Sequence, residues 1–358
     1  MYFSLHDAGT RVYYAVMNLK IITSVLPAWY QKNARDLPWR KNISPYRTWI
    51  SEIMLQQTRV ESVIPYFLRF IQELPDVESL AAVPEEKLLK LWEGLGYYSR
   101  VKNLQKAAKV IVSRYNGVFP ERYEEVITLP GIGEYTAGAI CSIAFGQPVP
   151  AVDGNVLRVF CRITGSFENI SLPATKKAVK ASLQQIYPEK NPGDFTQGLM
   201  ELGATVCLPN GTPLCSSCPM QEFCRAKKEN LIAKIPVKTP PAARKIEQKT
   251  VLIISCSGKT ALRKRPARGL LANLREFPNF DGFMTKKQVA ALLQEYGFQV
   301  QQIKSHIRRK HIFTHLEWHM KSFSVTTSDM PPVFTWVSNK ELLDNIPLPT
   351  AFKPLIKG

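Results

Sequence analysis

The sequence predicts a multidomain chain with an all-α domain followed by an α+β domain, and three observations carry that prediction. From about Leu19 to Cys224, stretches of amphipathic helical length alternate with short breaks at Pro, Gly and Asn, as in LPDVESLAAVPEEKLLKLWEGLG. A lysine- and proline-rich stretch with little periodicity comes next, AKKENLIAKIPVKTPPAARKIEQKT. Beyond it, TVLIISCSG is a β-branched run and SHIRRKHIFTHLEWHMKSFSVTTS alternates apolar with polar residues, with the helix-like TKKQVAALLQEYG between them. The implied boundaries are an N-terminal extension over residues 1–18, a helical domain over 19–226, an interdomain linker over 227–249 and an α+β domain over 250–358.

The chain has 358 residues, enough for two separate cores, and its 45% apolar and 21% charged residues exclude a disordered or fibrous protein. Lysine and arginine number 47 against 29 aspartate and glutamate, a formal charge of +18. Such a balance favours a polyanionic partner through counterion release, and nucleic acid leads. No run of 18 or more apolar residues and no secretory signal pattern is present, so a cytoplasmic protein is expected, nucleoid-associated if nucleic acid is its partner, and as nothing in the sequence demands an oligomer, a monomer is expected.

Taken in order, residues 1–16 carry no clear structural pattern, and the first convincing helix follows Met17. Ser44 with Pro45 marks a helix start, and PYRTWISEIMLQQ then sets Trp49, Ile50, Ile53 and Met54 on one apolar side. LPGIGEYTAG joins a short helix to a longer one through Gly131, Ile132 and Gly133. Glycines there let the backbone approach an anion, and the amides of the next helix start point outward, as a phosphate contact requires. Asp153 follows at a Gly-Asn break entering another helix, where an aspartate also serves as an N-cap. Cys207, Cys215, Cys218 and Cys224 then fall within eighteen residues. In a reducing compartment they read as metal ligands, and their spacing suits either a tetrahedral zinc or a 4Fe-4S cluster. Cys141, Cys161 and Cys256 lie in apolar runs and read as small core residues.

The hairpin, the VDGNVLRV stretch and the cysteine cluster together resemble the helix-hairpin-helix DNA glycosylase superfamily. Within it, LPWRKNISPYRTWISEIMLQQTRVESVIPYF, LWEGLGYYSR and LPGIGEYTAG resemble the MutY family of adenine DNA glycosylases, nearly without interruption from Leu37 to Cys224. The resemblance implies hydrolysis of the N-glycosidic bond of adenine mispaired with 8-oxoguanine or guanine in double-stranded DNA, as a step of base excision repair that leaves an abasic site. It implies that Glu52 is the general acid and Asp153 its ionised partner, with Tyr135 and Asn155 positioning them. The chemistry explains the pair: adenine leaves readily only when a ring nitrogen is protonated, and the sugar left behind gains cationic character that a carboxylate stabilises. Members that also cut the backbone carry a lysine two residues after the GxG turn, where this chain has Tyr135, so a monofunctional enzyme is expected.

The same resemblance assigns the cysteines a 4Fe-4S cluster, although the first gap here is seven residues where the family usually has six. It places Gln57 and Tyr97 at positions that probe or wedge the duplex when the base is flipped out, with Leu55 nearby, and supports the phosphate contact read from Gly131 and Gly133. Residues from about Thr250 onward resemble, more loosely, the Nudix-like C-terminal domain of the family, with Arg275 in RGLLANLREFP where an aromatic is usual. No pyrophosphate-hydrolase glutamate pattern accompanies it. The family reads 8-oxoguanine with a Phe-Ser-His turn, and this chain has Phe313, Thr314 and His315, with Arg308, Arg309 and Lys310 just before as phosphate contacts. Two competing readings are an endonuclease III-like lyase for oxidised pyrimidines, opposed by Tyr135, and a non-catalytic DNA-binding protein, opposed by the joint presence of Glu52 and Asp153.

Overall fold

In a computed structural model of the chain, residues 6–240 and 242–356 are described, with side chains from residue 20 onward. The helices in chain order are α1 (His6–Asn33), α2 (Pro45–Leu55), α3 (Val60–Glu73), α4 (Val77–Ala82), α5 (Glu85–Leu91), α6 (Ser99–Tyr115), α7 (Tyr123–Val126), α8 (Glu134–Ala144), α9 (Gly154–Thr164), α10 (Pro173–Gln184), α11 (Pro192–Thr205), α12 (Arg225–Lys228), α13 (Lys286–Glu295) and α14 (Asn339–Asp344). The strands are β1 (Lys245–Cys256), β2 (Lys259–Lys264), β3 (Arg275–Glu276), β4 (Asn279–Asp281), β5 (Val300–Ile312), β6 (Leu316–Thr327) and β7 (Thr335–Ser338). The chain divides into two compact units, one running to Ala81 and resuming over Asn103–Pro240, the other formed by Ala82–Lys102 with Pro241–Gly358.

The first unit is helical. Its helices start where the sequence supplies caps: the Ser44 hydroxyl accepts the Arg47 N–H at 3.2 Å with Pro45 at the first position of α2, and Asp153 caps α9, which ends on Gly165 in left-handed backbone. Helix α11 is central, packing on α1, α8 and α9, while α2 packs on α8. The core between α1, α9 and α11 is filled by Ile22, Leu26, Val156, Phe195 and Leu199, each at most 2% exposed. Among the described residues no helix is long and apolar enough to cross a membrane.

The second unit is built on a seven-stranded mixed sheet ordered β3-β2-β1-β6-β5, with β4 beside β1 and β7 beside β2. Strands β1 and β6 run parallel through eleven paired positions, from Lys245 with Leu316 to Ser255 with Thr326, and the other pairs are antiparallel. Both faces carry a core: Trp318, Met320 and Phe352 on one, Leu252, Phe323 and Val325 with α13 on the other. Helices α13 and α14 each begin with a capping box, Thr285 with Gln288 and Ser338 with Glu341.

Three boundaries differ from the sequence reading. Residues 1–5 of the expected extension lie outside the described residues, and from His6 the backbone is already helical, ahead of Met17. The stretch expected as a linker over 227–249 is largely folded. Ile235 is 1% exposed and packs with Cys161, Cys224 and Ala226, the Ile170 N–H donates to Val237 O at 3.0 Å, and β1 begins at Lys245. Prolines and lysines there conceal a few apolar anchors too sparse to show periodicity. The segment 82–102, read as part of the helical domain, clusters with the C-terminal unit. If residues 227–240 are structural, Ile235→Ala should lower unfolding free energy by about 2–4 kcal/mol, as for a core truncation, when followed by denaturant melts. A residue in a free linker would change it by nothing measurable.

Candidate active site

Glu52 sits on α2 among the side chains that bury this helix. Trp49, Ile50, Ile53 and Met54 are at most 3% exposed, and Glu52 itself is only 6% exposed. Its Oε2 accepts a hydrogen bond from the Tyr135 hydroxyl, carried on the first turn of α8. Burial pushes the Glu52 carboxyl up to about 7; the Tyr135 hydrogen bond and the charge of Arg40 pull it down, and the charge of Asp153 adds to the upward push. Burial also holds the Tyr135 hydroxyl well above its ordinary range, so at neutral pH it is a donor.

Asp153 is presented differently. As the N-cap of α9 it accepts the Val156 N–H on Oδ1 at 2.8 Å, and Oδ2 accepts from Asn155 Nδ2 at 2.7 Å. The residue is half-buried, and burial raises its carboxyl, opposed by those two donors and by the charge of Arg158. Glu52 and Asp153 feel each other's charge, so their site disfavours two anions at once. With donors on both oxygens and a helix N-terminus behind it, Asp153 is better fitted to stay ionised, and Glu52, with one hydroxyl donor, to carry the proton. Two glycines permit the closeness. A Cβ on Gly138 of α8 would meet Pro150 O at 2.4 Å, and one on Gly203 of α11 would meet the Asn155 Cβ at 2.5 Å.

Two arginines escaped the sequence reading. Arg158, 4% exposed, donates through Nη2 to Asn155 Oδ1 at 2.8 Å and to Gly203 O at 2.7 Å, and through Nε to Cys207 O at 2.7 Å. One turn on, Arg162 donates to Cys207 Sγ at 3.3 Å, Leu208 O at 3.0 Å and Ile235 O at 2.8 Å. The available signal was arginine at i and i+4 in a helix whose other residues are mostly apolar, a place where a guanidinium must find buried acceptors. Glu201 of α11 was missed too. It is 1% exposed and is gripped by Arg35 Nε at 2.7 Å and Arg40 Nη2 at 2.7 Å, which hold its carboxyl down at about 2 although burial opposes them.

Cys207, Cys215, Cys218 and Cys224 line one cavity, together with Val159, Arg162, Leu202 and Ile232. Cys218 feels the charges of the other three, and the Arg162 guanidinium at Cys207 suits a negatively charged sulfur. Among the described residues no group of three or more His, Cys, Asp or Glu is arranged to hold a metal ion. Four sulfurs around an apolar cavity with a cation at one wall form a donor set that fits a cluster held by thiolates. Cys141, Cys161 and Cys256 are buried, as expected of core residues.

The other expected contact residues fall in both units. In the first, Leu55 ends α2 and Gln57 follows it, exposed and in left-handed backbone with φ of 59°. Gly131 lies in the turn between α7 and α8, and Gly133 caps α8 with open space beside it. In the second, Tyr97 is 45% exposed, also left-handed with φ of 47°, whereas Tyr98 is buried. Left-handed non-glycine residues carry strain that tends to sit at functional positions. Arg100 turns inward, donating to Leu95 O at 3.1 Å and stacking on Trp92 and Tyr97. Phe313, Thr314 and His315 form the tight turn between β5 and β6, closed by the Phe313 N–H donating to Leu316 O at 2.8 Å. The Phe313 ring packs on Trp318 while Thr314 and His315 are exposed, and the Tyr97 and Thr314 hydroxyls are hydrogen-bonded.

A hairpin opening onto a helix, a buried acid and a capped aspartate define a base-excision DNA glycosylase of the helix-hairpin-helix class, and residues 50–189 match the HhH-GPD superfamily of base excision DNA repair proteins. Residues 250–358 match the NUDIX domain. The chain is similar to the adenine DNA glycosylase of Buchnera aphidicola from Acyrthosiphon pisum, 36% identical over 85% of this chain and 86% of that one, and to the human adenine DNA glycosylase, 34% identical over 88% and 70%. It belongs to the adenine DNA glycosylase family. Among solved structures, a thermostable thymine-DNA glycosylase matches with 28% identity and a TM-score of 0.54, over 60% of this chain and 98% of that one. A non-covalent endonuclease III–DNA complex matches with 25% identity and a TM-score of 0.52 over the same shares.

Glu52 gives a stability prediction. Its folded value, about 7, exceeds the ordinary 4.5, so the folded chain keeps a proton that the unfolded chain releases. The stability this contributes is complete below the ordinary value and is lost as pH rises through about 7. Glu52→Gln should therefore be the more stable protein at pH 8, by about 1–3 kcal/mol, with the gap closing by pH 5. Urea melts at the two pH values measure it, and a pH-independent gap would contradict the assignment.

Proposed function

We propose that the chain hydrolyses the N-glycosidic bond of adenine paired with 8-oxoguanine or guanine in duplex DNA, leaving an abasic site. The observation that carries this reading is the buried Glu52 carboxyl beneath the Tyr135 hydroxyl, beside an aspartate held by the start of α9. Near neutral pH a large fraction of Glu52 is protonated and able to give its proton to a ring nitrogen of the flipped adenine. The departing base takes the bonding electron pair, and the deoxyribose left behind develops oxocarbenium character. Asp153, kept charged by Val156, Asn155 and Arg158, stabilises that cation until water adds. Tyr135 offers no amine for a Schiff base, which supports a monofunctional reaction.

Duplex DNA is the partner that the charge, the family membership and the similarity to a DNA-bound endonuclease III support. Gly131 and Gly133 present backbone amides to a phosphate, Leu55 and Gln57 lie just beyond the helix of the acid, and Tyr97 with Phe313, Thr314 and His315 reads the base opposite adenine. Thr314 supplies the hydroxyl that the family takes from serine. The four cysteines hold a 4Fe-4S cluster, whose contribution when bound is to fix the 207–224 loop; Arg162 at Cys207 and Arg158 at Asn155 tie that loop to α9.

The test is a duplex with a single adenine opposite 8-oxoguanine. Free adenine should appear, with strand breakage only after hot alkali and no borohydride-trapped adduct. Glu52→Gln should slow single-turnover release by about 10²–10⁴-fold while leaving duplex affinity within a few fold. Breakage without alkali at oxidised pyrimidines would support the lyase reading instead, and binding without base release a non-catalytic one.

A further inference from the structure

The segment 82–102 is remote in sequence from the sheet domain yet packs as part of it. The attachment is specific. Lys90 Nζ donates to Leu343 O at 2.7 Å and Ile346 O at 3.3 Å, and pairs with Glu93 Oε2 at 3.0 Å. Glu93 Oε1 accepts the Leu348 N–H at 3.0 Å and faces Lys353 Nζ at 3.5 Å. The Glu93 side chain is only 12% exposed, so these charges interact with less screening than a surface pair.

Both ends of this attachment lead to residues assigned to the base opposite adenine. Leu348 and Phe352 are core residues, the Phe352 ring lies 6.0 Å from Trp318, and Trp318 lies 5.0 Å from Phe313 in the β5–β6 turn. In the other direction, Trp92, next to Glu93, donates through Nε1 to Gly96 O at 3.0 Å, and Arg100, stacked on Trp92, donates through Nη2 to Leu95 O at 3.1 Å and Gly96 O at 3.3 Å, next to Tyr97 in its left-handed backbone. The Tyr97 and Thr314 hydroxyls close the ring.

We propose that Lys90 and Glu93 are positioning residues that clamp the Tyr97 loop onto the C-terminal sheet, so that Tyr97 and the Phe313–Thr314–His315 turn meet the base opposite adenine as one preset surface. The inference rests on the lesion-reading role given above and adds the device that sets its geometry. Neither residue is among those assigned to the reacting sugar or adenine; their effect runs through the spacing of the two reading elements, where displacements of about 1 Å carry large kinetic penalties.

The test uses the full chain and two duplexes, with adenine opposite 8-oxoguanine or opposite guanine, under single-turnover conditions. Glu93→Ala should reduce the ratio of the two excision rates by about tenfold, mainly by slowing excision opposite the lesion. Glu93→Gln, which keeps an acceptor for the Leu348 N–H but loses the charge facing Lys90 and Lys353, should fall between it and the native chain, and Lys90→Met should resemble the alanine variant. Thermal melts accompany each, and the glutamine variant decides if the alanine variant does not fold. An unchanged ratio in the folded variants overturns the clamp, as does an equal loss on both duplexes, which would mark a merely structural role. A native chain that excises adenine at equal rates from both duplexes would overturn the lesion-reading role and this inference with it; a native chain that discriminates while its variants still do overturns the clamp alone.

Discussion

The proposed active site depends on removing one carboxyl from water. Glu52 lies on the apolar face of α2, where the neighbouring side chains leave it almost no contact with solvent, and the resulting penalty on its charged form turns an ordinary glutamate into an acid that holds a proton near neutrality. The rest of the first unit arranges itself around that penalty. Helix α8 brings the Tyr135 hydroxyl to it, Gly138 lets the backbone entering α9 come close, and the cap of α9 sets a second carboxyl near the first with a nitrogen donor on each of its oxygens. Two carboxyls that influence each other thereby have different hydrogen-bond partners, one hydroxyl donor for Glu52 and two nitrogen donors for Asp153.

The support behind this pair is a second set of buried charges. Arg158 joins Asn155 and Gly203 to the carbonyl of Cys207, and Arg162 joins the sulfur of Cys207 to carbonyls on the chain that follows α12. Each guanidinium is almost fully buried and satisfied by fixed acceptors, so the start of α9 and the cysteine loop cannot shift independently without leaving a buried cation unpaired. The 207–224 loop is thus linked through hydrogen bonds to Asp153, the aspartate proposed to act in catalysis.

Much of this was legible in the residues. Ser44-Pro45 announced α2, the Gly-rich turn announced the hairpin, and alternation announced β5 and β6, because caps, turns and pleats impose local residue choices. The pairing of Glu52 with Asp153 came through family resemblance, and the structure brings both side chains to one place. Tertiary choices were hidden. Nothing local in AKKENLIAKIPVK reveals that Ile235 fills a core, since its few apolar residues follow no helical or strand period. Nothing local in LWEGLGYYSR reveals that Glu93 receives the amide of Leu348, since partners so distant in sequence leave no pattern in either stretch. Arg158, Arg162 and Glu201 are charges that a helical pattern assigns to the surface and that folding instead uses as buried ties.

The central claim is that Glu52 is a proton donor because burial raises its carboxyl. Isotope-edited infrared spectroscopy of protein with ¹³C-labelled glutamate carboxyls, compared with Glu52→Gln, isolates this one group. The account predicts a carboxyl band, missing from the variant, that loses its proton at about pH 7. A Glu52 already ionised from pH 5 upward would contradict it.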